Sequence, residues 1–185
     1  VPDLAGPGSV KATVRKSGAQ WGVNARAEGP SGSTVTVDGL IAANATRAGL
    51  TLVGRVPLGL VNRRLAPNTL QGFADFDMKL NGPLALSSLD GTLRTNGARL
   101  SLPALRNALG DIDATITVSG GSAVVRSSGS VSSGGKVKAQ GRIGLQAPYV
   151  TRLDVDVENV GFSDPKLYKT SVNGSLVLGG AIASS

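Results

Sequence analysis

Cysteine and histidine are absent from these 185 residues, and the aromatics are few: Trp21, Tyr149, Tyr168, Phe73, Phe76 and Phe162. Without Cys or His the chain has no Cys/His zinc site, no thiol chemistry and no His-centred triad or proton relay. Lack of Cys also fits an oxidising or exported setting. No apolar run approaches the ~18 residues of a membrane helix, and no signal-peptide pattern opens the sequence. P-loop, dinucleotide-binding, nucleophile-elbow and EF-hand motifs are missing too, so neither a cofactor nor a metal is expected. Six scattered aromatics supply neither the two girdles of a transmembrane barrel nor a stacking platform for bases. Nucleic acid is therefore not an expected partner.

What is abundant is glycine, at 26 residues, about twice the usual ~7%. It punctuates a recurring module of alternating apolar and polar residues. Clear copies are Gly135-Lys-Val-Lys-Ala-Gln-Gly141-Arg-Ile-Gly-Leu145 and Thr170-Ser-Val-Asn-Gly174-Ser-Leu-Val-Leu-Gly179. Period-two alternation predicts strands with one wet and one apolar face, and Gly inside them lets a sheet bend. The expected fold is all-β: one long, curved antiparallel sheet forming an open apolar groove, with one or two short helical turns. Residues 57–67, with a Pro at each end and Leu58, Val61 and Leu65 at helical spacing, read as a short helical insert. A second turn is expected within 102–109. Asn-Gly at 81–82 and 96–97 signals hairpin turns where it separates strands, whereas Asn173-Gly174 sits inside an alternating run and predicts a bulge or bend. No position reads as a domain linker, so 1–185 is taken as one groove segment. The start at Val1 and the strand pattern running into Ala181-Ile182 read as edges within a longer protein.

The apolar phase is the main functional signal. It comprises Leu50, Leu52, Val56, Phe76, Met78, Leu80, Ile112, Ile116, Val118, Val137, Ile143, Leu145, Leu153, Val155, Val157, Val172, Leu176 and Leu178. A filled sandwich core and an open trough both fit this pattern; the scarcity of aromatics and the in-phase Ala and Gly favour the trough. The opposite phase carries most of a net charge of +7, its bases scattered and not massed in a tail. That suits a solvated face, with anionic headgroups as the sharper alternative. Three carboxylate pairs, Asp75/Asp77, Asp111/Asp113 and Asp154/Asp156, have glycosidase-like or metal-like spacing, roughly 6–7 Å along a strand. All fall on the polar phase, where acids are expected as surface decoration. Asn44-Ala-Thr46 and Asn173-Gly-Ser175 match the short glycosylation pattern. No catalytic residue emerges.

Residues 80–180 resemble the conserved region of the TamB family of Gram-negative envelope proteins. The resemblance is carried by Leu80-Asn-Gly-Pro-Leu-Ala-Leu-Ser-Ser-Leu-Asp-Gly-Thr-Leu93, Leu109-Gly-Asp-Ile-Asp-Ala-Thr-Ile116, Gly134 to Leu145 and Val172-Asn-Gly-Ser-Leu-Val-Leu-Gly179. The insert from Pro57 to Leu70 extends it. The resemblance implies the periplasmic part of an inner-membrane-anchored protein related to AsmA-like and bridge-type lipid transfer proteins. It also implies a partnership with a TamA-like outer-membrane barrel and with adjacent segments of the same chain. The expected role is passage of phospholipid acyl chains to the outer membrane, or assembly of outer-membrane proteins. Two alternatives stand beside it: a chaperone-like module binding unfolded outer-membrane β-strands, and a purely structural adhesin or solenoid segment.

Overall fold

The computed structural model of the chain describes residues 8–29, 32–105, 107–164 and 168–181. Twelve strands form one antiparallel sheet: β1 (Ser9–Ser17), β2 (Gln20–Glu28), β3 (Thr34–Ala42), β4 (Arg47–Pro57), β5 (Thr69–Gln71), β6 (Phe73–Pro83), β7 (Leu89–Leu102), β8 (Asn107–Ser119), β9 (Ser122–Val131), β10 (Lys136–Gly144), β11 (Val150–Asp164) and β12 (Tyr168–Ala181). Their order is sequential, apart from short β5, which pairs with the far end of β7. Such a meander needs only tight hairpins. Between β8 and β9 the link is Gly120-Gly121, whose φ angles of 55° and 71° suit a two-residue turn matched to strand twist.

Among the described residues no second layer packs against this sheet; each strand packs on its sheet neighbours. The open sheet anticipated from periodicity is the observed architecture, and the sandwich alternative is not. Accordingly there is no conventional core. The buried apolar residues are Ala48, Ala74, Ala98, Val118, Ala123 and Val160, and no large side chain among the described residues is fully enclosed. One face is half-buried nevertheless, because the sheet curves toward it.

Helix is confined to short pieces. A 3₁₀ turn, Leu58–Val61, runs into the four-residue α1 (Asn62–Leu65) inside the expected insert. The insert is tied down where Leu58 N–H donates to the Gly72 carbonyl at 2.9 Å and Leu70 N–H donates to Asn62 Oδ1 at 2.7 Å. Of the expected turn within 102–109, only Pro103–Leu105 is helical. From Asn107 the chain is already β8, because Leu109 pairs with Val131 and Leu100 on its two neighbours. Arg106 lies outside the described residues. A further 3₁₀ turn, Leu86–Ser88, was not expected from the sequence.

The Asn-Gly pairs at 81–82 and 96–97 are not hairpin turns. Asn81 and Gly82 pair within β6, opposite Gly49 and Ala48. Asn96 and Gly97 form a bulge in β7, and Gly97 (φ 64°) donates its N–H to Asp113 Oδ1 at 2.9 Å. Gly174 pairs with Val157 inside β12, and the bend expected there is a bulge on the facing strand between Val157 and Val160, opposite Asn173. Asn159 (φ 53°) occupies that bulge and is held by the side chain of Asn173.

Candidate functional site: an open apolar face

Residues paired directly across antiparallel strands present their side chains to the same face. Following the register therefore assigns every strand position. One line runs Val10, Ala27, Val35, Gly54, Phe76, Leu93, Ile116, Val125, Gly141, Leu153 and Leu178, one residue from each of eleven strands. A second parallel line runs from Ala12 through Leu52, Met78, Val118 and Ile143 to Gly180. At about 4.8 Å per strand, each line spans roughly 48 Å before curvature.

The register brings Leu50, Leu52, Val56, Phe76, Met78, Leu80, Ile112, Ile116, Val118, Val137, Ile143, Leu153, Val155, Val157, Val172, Leu176 and Leu178 onto this one face. From β4 to β11 they are half-buried or buried. On β12, Val172, Leu176 and Leu178 are exposed, since among the described residues only β11 flanks them. Leu145 lies beyond β10 in the 145–149 loop, its N–H on the Gly121 carbonyl. It is not part of the ladder.

Bulges keep the apolar phase on one side. In β7 it is odd-numbered up to Thr95 and even-numbered from Ala98; in β8 it changes between Leu109 and Ile112; in β11 it changes between Val157 and Val160. Each change is an extra residue absorbed by a bulge, without which the rest of the strand would turn inside out. Two of the carboxylates noted in the sequence hold these bulges. Asp111, at φ 48°, accepts a hydrogen bond from Ser130 Oγ at 2.9 Å, and Asp113 accepts the Gly97 N–H. Their signal in the sequence was the break in alternation beside Gly110, not the spacing of the acids.

Glycines on the apolar face make room for large neighbours. At Gly54 a Cβ would come within 2.8 Å of the Phe76 ring lying over it and would strike the Thr34 carbonyl. One polar group is out of place: Thr95 is 7% exposed and its Oγ1 has no partner. It begins a line of small residues, Thr95, Ala114, Ser127 and Ala139.

The other face is charged and solvated. Arg26–Glu28 (2.9 Å), Arg55–Asp75 (3.6 Å), Lys138–Glu158 (2.8 Å) and Arg152–Asp154 (3.9 Å) pair across or along its strands. Glu158 lies below the usual carboxylate range and Lys138 above the usual ammonium range, each chiefly through their mutual hydrogen bond and then through their attraction. Shallow depressions of about 390 and 580 Å³ lie between these side chains, the first bordered by Asp113, Arg126, Lys138 and Asp156, the second by Arg26, Arg55, Asp75 and Arg94. A more apolar hollow of about 270 Å³ lies at one end of the apolar face, among Ala27, Val35, Val56, Pro57 and Leu60. Among the described residues no cluster of Asp or Glu is placed to hold a metal ion, and no helix is long and apolar enough to cross a membrane. No protein-family model, curated protein or solved structure matches the chain.

Proposed function

We propose that this chain is a non-enzymatic β-groove segment of a TamB-like envelope protein, and that its open face carries phospholipid acyl chains through the periplasm. The observation behind this reading is the unbroken apolar line across eleven strands with no layer covering it. Exposing a lipid chain to water costs about 0.8 kcal/mol per CH₂, so a ~16-carbon chain costs on the order of 13 kcal/mol. A trough of aliphatic side chains removes most of that cost while the headgroup stays wet. Its roughly 48 Å length exceeds the ~15 Å depth of one bilayer leaflet about threefold. A chain can therefore slide from one set of Leu, Val and Ile contacts to the next without a deep well. The resemblance of residues 80–180 supports the envelope setting, the inner-membrane anchor and a TamA-like barrel as partner.

A second reading, capture of unfolded outer-membrane strands, is favoured by β12. From Thr170 to Ala181 this edge strand has no charged side chain, and an uncharged edge is a template for strand addition. Solvent extraction and mass spectrometry of the purified chain separate the readings. Co-purifying phospholipid supports the conduit, captured peptide supports the chaperone, and neither leaves a structural segment.

A further inference from the structure

The meander places five hairpin loops side by side along one rim of the sheet: 18–19, 43–46, 84–88, 120–121 and 145–149. None of them contains a charged residue. Five large apolar side chains are exposed in or beside them: Trp21 at 38%, Leu40 at 46%, Leu84 at 53%, Leu86 at 57% and Val150 at 61%. Within three residues of the loops stand five bases, Arg15, Lys16, Arg47, Arg142 and Arg152. Asp90 is the one carboxylate in that band, and it accepts the Gly120 N–H at 3.3 Å. Lys16 lies over the Trp21 ring, 6.0 Å from its centre. The opposite rim is basic too, with Arg63 and Arg64 beside exposed Leu60 and Val61, but those two bases lie within its loop itself, whereas the loops 18–19, 43–46, 84–88, 120–121 and 145–149 are uncharged. Ion pairs occur on both rims, Arg26–Glu28, Arg55–Asp75 and Lys138–Glu158 on the one and Arg152–Asp154 on the other.

We infer that the rim of loops 18–19, 43–46, 84–88, 120–121 and 145–149 is a docking edge for an anionic lipid bilayer. The charge balance bears on the occupant: a band of five bases, of which Arg152 is paired with Asp154, facing one carboxylate attracts an anionic plane and repels a basic one. The exposed Leu84 and Leu86 of the 84–88 loop enter the headgroup region, and Trp21 and Tyr149 supply amphipathic rings suited to that depth. Sheet spacing puts neighbouring tips about 10 Å apart, so the contact runs along the lip of the trough, with its deepest insertion at the 84–88 loop. The inference does not depend on the trough carrying lipid.

Trp21 is the chain's single tryptophan and a native reporter on this rim. Vesicles of equal parts phosphatidylglycerol and phosphatidylcholine are expected to co-sediment the chain and shift Trp21 emission to the blue. Phosphatidylcholine alone, or high salt, should largely abolish both effects. Leu84→Ser with Leu86→Ser should weaken partitioning about tenfold or more, and Lys16→Glu with Arg47→Glu should do likewise. Leu60→Ser with Val61→Ser on the opposite rim should leave it unchanged, as should Ile116→Asp in the trough. The strand signal in circular dichroism serves as the fold check. Absence of binding to the anionic vesicles, full binding by the folded Leu84/Leu86 variant, or an equal loss from the Leu60/Val61 variant would overturn the assignment. Loss of lipid from the trough with vesicle binding intact would count against the conduit alone.

Discussion

Ile116 and Thr117 are neighbours on β8 that face opposite sides of the sheet. Ile116 pairs with Leu93 and Val125 on the apolar line, and Thr117 pairs with Thr92 and Val124 on the outer face. Replacing each in turn by Asp puts the same charge on the same strand, inside and outside the trough. Ile116 is half-buried, so losing it forfeits about 0.8–1.5 kcal/mol of apolar contact, half of a fully buried side chain's worth. An acyl chain sliding past must then cover the carboxylate or leave water around it. Leaving a polar group without partners in apolar surroundings costs about 2–7 kcal/mol. Even ~3 kcal/mol slows passage or weakens occupancy by roughly 150-fold. Two assays read this: phospholipid co-purified per chain, and uptake of a fluorescent fatty acid by the purified protein. Ile116→Asp should lose nearly all signal, and Thr117→Asp should match the parent. Asp113 is unsuitable as the outward control, because its carboxylate holds the Gly97 bulge. If folded Ile116→Asp takes up as much lipid as Thr117→Asp, the conduit reasoning is wrong.

Thr95→Val should stabilise the chain by about 1 kcal/mol, because it removes a buried hydroxyl that has no partner; a lower midpoint in urea would mean that the hydroxyl is satisfied in solution. Gly54→Ala should destabilise by about 1–3 kcal/mol through overpacking against the Phe76 ring and the Thr34 carbonyl, and an unchanged urea midpoint would contradict that packing. The Lys138–Glu158 pair should act at neutral pH. The lowered Glu158 contributes stability above the usual carboxylate pKa and loses it as pH falls through its own lower value. The raised Lys138 contributes below 10.5 and loses it as pH rises through its own higher value. Both groups are exposed, so the effect is small and salt-sensitive, and Glu158→Gln should flatten the acid limb of a thermal-melting profile taken in low salt.

The strand faces were legible because alternation is local: each apolar residue of β10, from Val137 to Ile143, must share a side with the next but one. The insert was legible because Leu58, Val61 and Leu65 stand at helical spacing between two prolines that have no N–H to donate; Pro57 itself closes β4, opposite Phe73. The Asn-Gly signals misled at 81–82, where both residues pair within β6, and at 96–97, where the left-handed freedom that closes a hairpin makes a bulge instead. Leu145 stands beyond the ladder because alternation runs on for a residue after the pairing partners stop at Gly144. The docking rim was not visible at all. Trp21, Leu84 and Val150 are distant in sequence, and only a meander that returns every second strand end to the same edge aligns them.

Composition and periodicity alone determined an all-β chain with one apolar and one charged face and without Cys or His chemistry, because those properties belong to single residues and their nearest neighbours. Whether the apolar faces closed on each other or lay open depended on strand order and curvature. Tertiary pairing decided that, leaving one sheet without a covering layer. It also decided what the odd residues do. Asp113 as a bulge holder and Thr95 as an unpaired hydroxyl follow from which backbone lies opposite, and the strand's own sequence does not specify its neighbour.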